Sequence, residues 1–186
     1  ACVTALSFTR NAARELEDRA RELAPEAVAG VMFGTSHSFA LAVIRSRPRV
    51  LGLPGRVTVY DEQDREDVIG DVLSTLKLNS TISRVIEYVE AKRRRLGGQW
   101  TLPAAKAGDE YERRLLLAGA VDFDRILLGA IEILERDQEA RETWRRRARY
   151  LIVDEFQDAA PEEVRLYGLL EPAELVLVGD PNQNIY

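Results

Sequence analysis

The chain has a single cysteine and a single histidine among its 186 residues. Cys2 alone excludes a disulfide framework and a cysteine metal site, and His37 has no cysteine or second histidine with which to complete a zinc set. No segment approaches the roughly 18 uncharged apolar residues of a membrane span, and the first residues hold no apolar stretch of the signal-peptide kind. A cytosolic protein is the default expectation. Positive charge is also in short supply: 26 Lys and Arg against 31 Asp and Glu leave a net charge of −5. That balance argues against a surface that is basic all over, as small sequence-independent DNA-binding modules have. Local basic tracks remain at Lys92-Arg93-Arg94-Arg95 and at Arg145-Arg146-Arg147 with Arg149. Such runs could meet phosphates, but more often they are solvated helix ends. Internal repeats and low-complexity tracts are absent.

What is present begins with enough apolar residues, 46% of the chain, to build a core in one or two small domains. Val3–Phe8 reads as a strand and Arg10–Leu23 as a helix, because Ala12, Leu16, Ala20 and Leu23 recur at helical spacing. Thr9 is the expected cap between them. Val31–Thr35 and Ser36–Arg45 repeat the pair, a β-α-β-α start that predicts a parallel sheet with crossover helices. Periodicity fails from Ser46 to Val59, where Pro48, Gly52, Pro54 and Gly55 mark an irregular connection. Helical stripes follow at Asp61–Leu76, around Ile82–Val89, at Ala107–Leu117 and at Asp124–Leu134. The organisation expected is therefore an α/β domain over residues 1–59, a helical insertion over 60–120, and a return to the α/β domain over 121–186.

The last segment, from Tyr150 to Tyr186, carries the chemistry. Tyr150–Val153 is an unbroken apolar run, as in a strand covered on both faces, and Asp154 and Glu155 follow it directly. Leu175–Val178 repeats the pattern, breaks at Gly179, and delivers Asp180, Asn182 and Gln183, with Pro181 stiffening the turn. In open α/β sheets the carboxyl ends of the strands face the ligand crevice. Paired carboxylates and amides at that edge suit phosphoryl transfer to water: one carboxylate holds Mg²⁺, its neighbour orients and deprotonates the water, and an amide meets the γ-phosphate.

DEFQD at 154–158 and GDPNQNIY at 179–186 resemble motifs II and III of the UvrD/Rep group of superfamily 1 DNA helicases. LSFTRNAARELEDRA at 6–20 is similar to motif Ia and GTSHSFA at 34–40 to motif Ib, while YDEQDRED at 60–67 and YERRLLLAGAVDFDRILL at 111–128 look like the intervening helical segments. The resemblance implies a RecA-like P-loop NTPase sheet with a helical insertion, acting in an ATP-dependent, Mg²⁺-requiring 3′ to 5′ helicase or translocase on single-stranded DNA and its junctions with duplex. It implies that Asp154 coordinates Mg²⁺, that Glu155 polarises the hydrolytic water, and that Gln157 and Gln183 contact or sense the γ-phosphate. Asp158 is offered either a loop-bracing role or that of a cap on the following helix, with Pro161 in its first turn. DNA contacts are implied for Phe8, as an aromatic face for a base, with Thr9 and Asn11, for Thr35, Ser36 and His37, and for Tyr186 by stacking. The chain departs from the usual pattern at Ser36, where an aromatic or aliphatic residue is commoner, at Arg125 in place of a frequent Asp, and at Asn184 in place of a frequent Ser.

The family's phosphate-binding loop, G-x-x-x-x-G-K-[ST], is not found: Lys77, Lys92 and Lys106 follow Leu, Ala and Ala. The expectation is an internal fragment of a first motor domain, with the second motor domain elsewhere in the same polypeptide. Alone it should hold ATP weakly, neither hydrolyse it nor unwind DNA, and expose sheet edges. Two alternatives stand beside this reading: the motor portion of a helicase-nuclease subunit, and a non-catalytic DNA- or protein-binding module derived from a helicase.

Overall fold

The computed structural model describes residues 2–180. In chain order the elements are β1 (Val3–Ser7), α1 (Arg10–Leu23), β2 (Met32–Thr35), α2 (Ser36–Ser46), β3 (Thr58–Tyr60), α3 (Glu62–Thr75) and α4 (Ile82–Arg93). There follow α5 (Leu102–Ala118), β4 (Ala120–Asp122), α6 (Phe123–Arg136), α7 (Gln138–Arg147), β5 (Tyr150–Val153), α8 (Pro161–Leu170) and β6 (Glu174–Leu177). Short 3-10 turns occupy Pro48–Leu51 and Phe156–Asp158. This is the expected α/β class, with a parallel sheet and a helical insertion.

Two compact units divide the chain, residues 1–47 with 129–186 and residues 48–128. Boundaries at 59/60 and 120/121 would have cut through a small sheet of the second unit: β3 pairs in parallel with β4, Thr58 opposite Ala120 and Tyr60 opposite Asp122. Both strands are three residues long, too short to show a period of two.

In the first unit four strands pair in parallel in the order β2-β1-β5-β6. The predicted Thr9 cap is formed, its Oγ1 accepting from Ala12 N at 3.1 Å. Leu6, Phe39, Val43, Ile44, Leu151, Leu166 and Leu170 are fully buried and fill this unit's core. Trp144 stacks edge-on to Phe39 with ring centroids 5.0 Å apart and donates Nε1 to Ser46 Oγ at 3.2 Å, which docks α7 on α2.

The two apolar runs at the sheet differ in cover. Leu151 and Val153 of β5 are buried, whereas Leu175, Val176 and Leu177 of β6 and the following Val178 are each about half exposed. Leu151 and Val153 share one face of β5, while on the other Tyr150 is 41% exposed and Ile152 half-buried, so the expectation of a strand covered on both faces is met on one face of β5 only and fails for β6, which has a strand on one side only among the described residues. An apolar edge of this kind is a template for edge-to-edge pairing. Val176→Lys is therefore expected to lower light scattering of concentrated solutions of residues 1–186 while moving stability by less than about 0.5 kcal/mol, as exposed sites do. Unchanged scattering would mean that β6 is not the sticky edge.

The second unit packs α3, α4 and α5 around Ile69, Val72, Val85, Val89, Ala107, Tyr111 and Leu115. Helix α5 starts at Leu102, earlier than the apolar stripe suggests, because Thr101 caps it and Pro103 sits in its first turn. It ends at Gly119, whose φ of 65° and close approach to Arg56 O leave no room for a Cβ. Within this unit Asp122 is fully occupied. Its Oδ1 accepts from Arg93 Nη1 at 2.7 Å and from Arg125 N at 3.0 Å, and its Oδ2 from Tyr111 Oη at 2.6 Å.

Candidate active site and nucleic-acid face

The parallel register decides which residues share the carboxyl edge of the first unit's sheet. Leu6 pairs with Val153 and Ser7 with Thr35, so Ser7 and Phe8 leave β1 beside Asp154 and Glu155 leaving β5, with Ser36 next to them at the end of β2. These residues line one shallow cleft together with Ala159, Glu163 and Tyr167. A larger concavity lies within the second unit between Leu51, Leu53, Leu115, Leu116 and Val121. Its Arg93 and Glu112 are paired with each other at 2.6 Å, and it gathers no reactive pair. The strand-end cleft does.

Asp154 continues the ladder, its N–H donating to Leu6 O at 2.8 Å. Glu155 then turns into the left-handed region at φ 55°, ψ 40°, a conformation that costs a non-glycine residue roughly 1–3 kcal/mol and concentrates at functional sites. The chain closes into the 3-10 turn Phe156–Asp158, which is hung from β6 by Phe156 N donating to Val178 O at 2.9 Å. Gln157 Nε2 donates to Glu155 Oε2 at 2.6 Å. Ser7 Oγ, Gln157 Oε1 and Asp158 Oδ1 are buried with no hydrogen-bond partner among the described residues, and all three lie at this edge of the sheet. Native proteins leave few such atoms unpaired, and their clustering marks a place where something else is accommodated.

The helix after the turn is not capped by Asp158. Ala160 is the N-cap residue, and its N–H donates to Glu163 Oε2 at 2.8 Å, with Pro161 in the first turn as expected. Glu163 is buried.

On the other side of the cleft Phe8 is 54% exposed, an aromatic presented at a strand end instead of packed away. Thr9 and Asn11 are exposed beside it. Thr35 caps α2 through a reciprocal pair: Ser38 N donates to Thr35 Oγ1 at 3.1 Å and Thr35 N to Ser38 Oγ at 2.9 Å. Ser36 points inward, its Oγ 2.6 Å from the Tyr167 hydroxyl, which burial pushes up to about 12. A small hydroxyl at 36 thus ties α2 to α8. His37 is half-buried in the first turn of α2. Gln183 and Tyr186, with Asn182 and Asn184, lie outside the described residues.

The two basic runs are largely committed to neighbours inside the fold. Lys92 meets Asp109 at 2.6 Å, Arg93 meets Asp122 and Glu112, and Arg94 meets Glu90 at 3.6 Å. Arg145 pairs with Glu171 and donates to Leu169 O at 3.0 Å, and Arg147 stacks on Trp144. Sequence reasoning missed Ser38, Glu163 and Tyr167. A Ser three residues after Thr35 and a Glu two residues after Pro161 are the capping signals that would have found the first two; Tyr167 has no such signal.

The donor set at the cleft fits a hard cation shared with phosphate oxygens and water better than a protein cage. Two adjacent carboxylates stand there, and among the described residues no group of three or more His, Cys, Asp or Glu could hold a metal on its own.

A family model described as UvrD/REP helicase N-terminal domain matches residues 2–186. Over a 199-residue alignment the chain is 27% identical to the ATP-dependent DNA helicase Rep of Salmonella typhimurium, covering 99% of this chain and 30% of that protein. The same figures hold for Rep of Escherichia coli. For the ATP-dependent DNA helicase PcrA of Staphylococcus aureus the identity is 28%, over 99% of this chain and 27% of that protein. The chain spans less than a third of the length of these relatives.

Proposed function

The chain belongs to the UvrD/REP helicase N-terminal domain family, and from that premise we propose that it supplies the hydrolytic edge and part of the DNA track of an ATP-dependent 3′ to 5′ helicase or translocase. The observation that carries the reading is the shared sheet edge. Register places the carboxylate pair that ends β5 beside the exposed aromatic that ends β1. Nucleotide and nucleic acid are thereby served by adjacent strand ends of one rigid sheet.

Asp154 would hold Mg²⁺, largely through its waters; when bound, the ion neutralises phosphate charge. Glu155 orients the attacking water and takes its proton. The water oxygen bonds to the γ-phosphorus as the bond from that phosphorus to the β,γ-bridging oxygen breaks, and ADP leaves. Gln183 would contact the γ-phosphate. Phe8 offers its ring to a base, Thr9, Asn11 and His37 contact the same DNA strand, the resemblance adds stacking by Tyr186, and the capped N-terminus of α2 at Thr35 offers backbone N–H groups to phosphates. Single-stranded DNA and its junctions with duplex are the partners proposed, with a second motor domain in the same polypeptide. No helix among the described residues is long and apolar enough to cross a membrane. Residues 1–186 by themselves, with no lysine after a glycine, are expected to bind nucleotide too weakly to turn it over.

The test is ATP hydrolysis by the full-length polypeptide with and without oligothymidylate. Turnover that rises with single-stranded DNA supports the motor; none, from a folded protein that binds DNA, moves the reading to a non-catalytic binding module. Phe8→Ala should weaken single-strand binding by about 1–3 kcal/mol without a change in sequence preference. Unaltered affinity in a fluorescence-anisotropy titration would remove Phe8 from the track.

A further inference from the structure

We propose that Gln157 is a positioning residue for Glu155, and that the missing side chain at Gly179 is what allows it to be one. The inference rests on the motor reading and deepens it, since the family resemblance alone would turn Gln157 toward the γ-phosphate.

The amide nitrogen of Gln157 carries two N–H donors, and one of them is committed to the carboxylate: Nε2 donates to Glu155 Oε2 at 2.6 Å. A planar amide that points Nε2 at the carboxylate sends Oε1 the other way, and here Oε1 is buried, packed on Gly179 and without a hydrogen-bond partner among the described residues. A Cβ at 179 would run into Oε1 and would also lie 3.3 Å from the backbone nitrogens of Phe156 and Gln157. The same strand end is tied to the turn by Phe156 N donating to Val178 O at 2.9 Å and to β5 by Val178 N donating to Val153 O at 2.8 Å. Glu155 is thus directed by its left-handed backbone on one side and by the Gln157 amide on the other. With Oε2 held, Oε1 is left to accept the water's proton. Any displacement of the β6 end at Gly179 reaches the carboxylate through a single side chain.

The experiment uses the full-length polypeptide, labelled with ¹⁵N-glutamine, and the variants Gln157→Ala, Gly179→Ala and Glu155→Ala. Without nucleotide, one side-chain amide should be shifted by its carboxylate partner; the resonance should vanish in Gln157→Ala and move in both Glu155→Ala and Gly179→Ala. In turnover, Gln157→Ala and Gly179→Ala should each lower kcat about 100-fold, the scale of a misplaced catalytic group. Their preference for a fluorescent ATP analogue over the ADP analogue should stay within about twofold, because binding is not what the amide serves. Combining Gln157→Ala with Glu155→Gln should add nothing to Glu155→Gln alone. Loss of the ATP-over-ADP preference in Gln157→Ala would show the amide on the γ-phosphate and overturn the proposal, as would an undiminished kcat. An amide resonance indifferent to Glu155→Ala overturns it whether or not the protein is an ATPase. A confirmed amide contact in a protein with no turnover would instead sink the motor reading.

Discussion

Glu155→Gln should lower DNA-stimulated ATP turnover by about 10²–10⁴-fold, the usual contribution of a positioned general base, while ATP binding and thermal stability stay near those of the wild type. The substitution keeps size and leaves an amide oxygen that can still accept from Gln157 Nε2, 2.6 Å away in the native pair. It removes only the capacity to take a proton from water. The left-handed backbone at position 155 is unaffected, because glutamine meets the same steric limits as glutamate. A kcat within tenfold of wild type would remove Glu155 as the base. A collapse in stability would reassign it to the fold.

The second large effect lies in the other unit. Asp122→Ala should destabilise residues 48–128 by about 3–5 kcal/mol, because it strands the Arg93 guanidinium, buried as deeply as its partner, without its main counter-charge. Against a typical domain stability of about 5–15 kcal/mol, that is enough to unfold a marginal unit. Replacing Arg93 and Asp122 together by Met and Leu should cost much less than the single change, since no buried charge is then left unpaired. Urea denaturation followed by the fluorescence of Trp100 separates the cases, and a single-variant loss under about 1 kcal/mol would contradict the account. The same cluster gives a pH dependence with a definite sign. Burial pushes the Asp122 carboxyl up, but the Arg93 guanidinium beside it and the hydrogen bonds from Arg93, Tyr111 and Arg125 N outweigh burial and hold it below the usual range. A lowered folded value means that the contribution is present above the unfolded value of about 3.9 and is lost as pH falls through the folded one. Denaturation midpoints should therefore be insensitive to Asp122 from neutrality to about pH 5 and fall more steeply below pH 4 than in the Asp122→Asn variant.

Much of this architecture is legible in the chain where local signals are strong. Arg10–Leu23 and Tyr150–Val153 are observed with the bounds expected, because a Thr cap, a helical stripe and an unbroken apolar run leave little competition. Helix α7 was not legible: only Ala140 and Trp144 of its residues are buried, and a charged segment with one apolar pair shows no stripe. Strands β3 and β4 are too short to carry a pattern, and what stabilises their pairing is tertiary. At the site, the Asp154-Glu155 pair is visible because a strand end announces it. The inward turn of Ser36 onto Tyr167 and the fit of Gln157 against Gly179 join residues distant in sequence or in different turns, which no local periodicity encodes.

A sheet edge that both spends ATP and grips a moving single strand, as proposed, should reveal itself in pre-steady-state translocation of the full-length polypeptide on oligothymidylates of increasing length, labelled at the 5′ end. The expected result is an ATP-dependent arrival time that lengthens in proportion to the DNA, is absent with a 3′ label, and is lost in Glu155→Gln. ATP hydrolysis with an arrival signal independent of length would show that this edge does not drive movement along the strand.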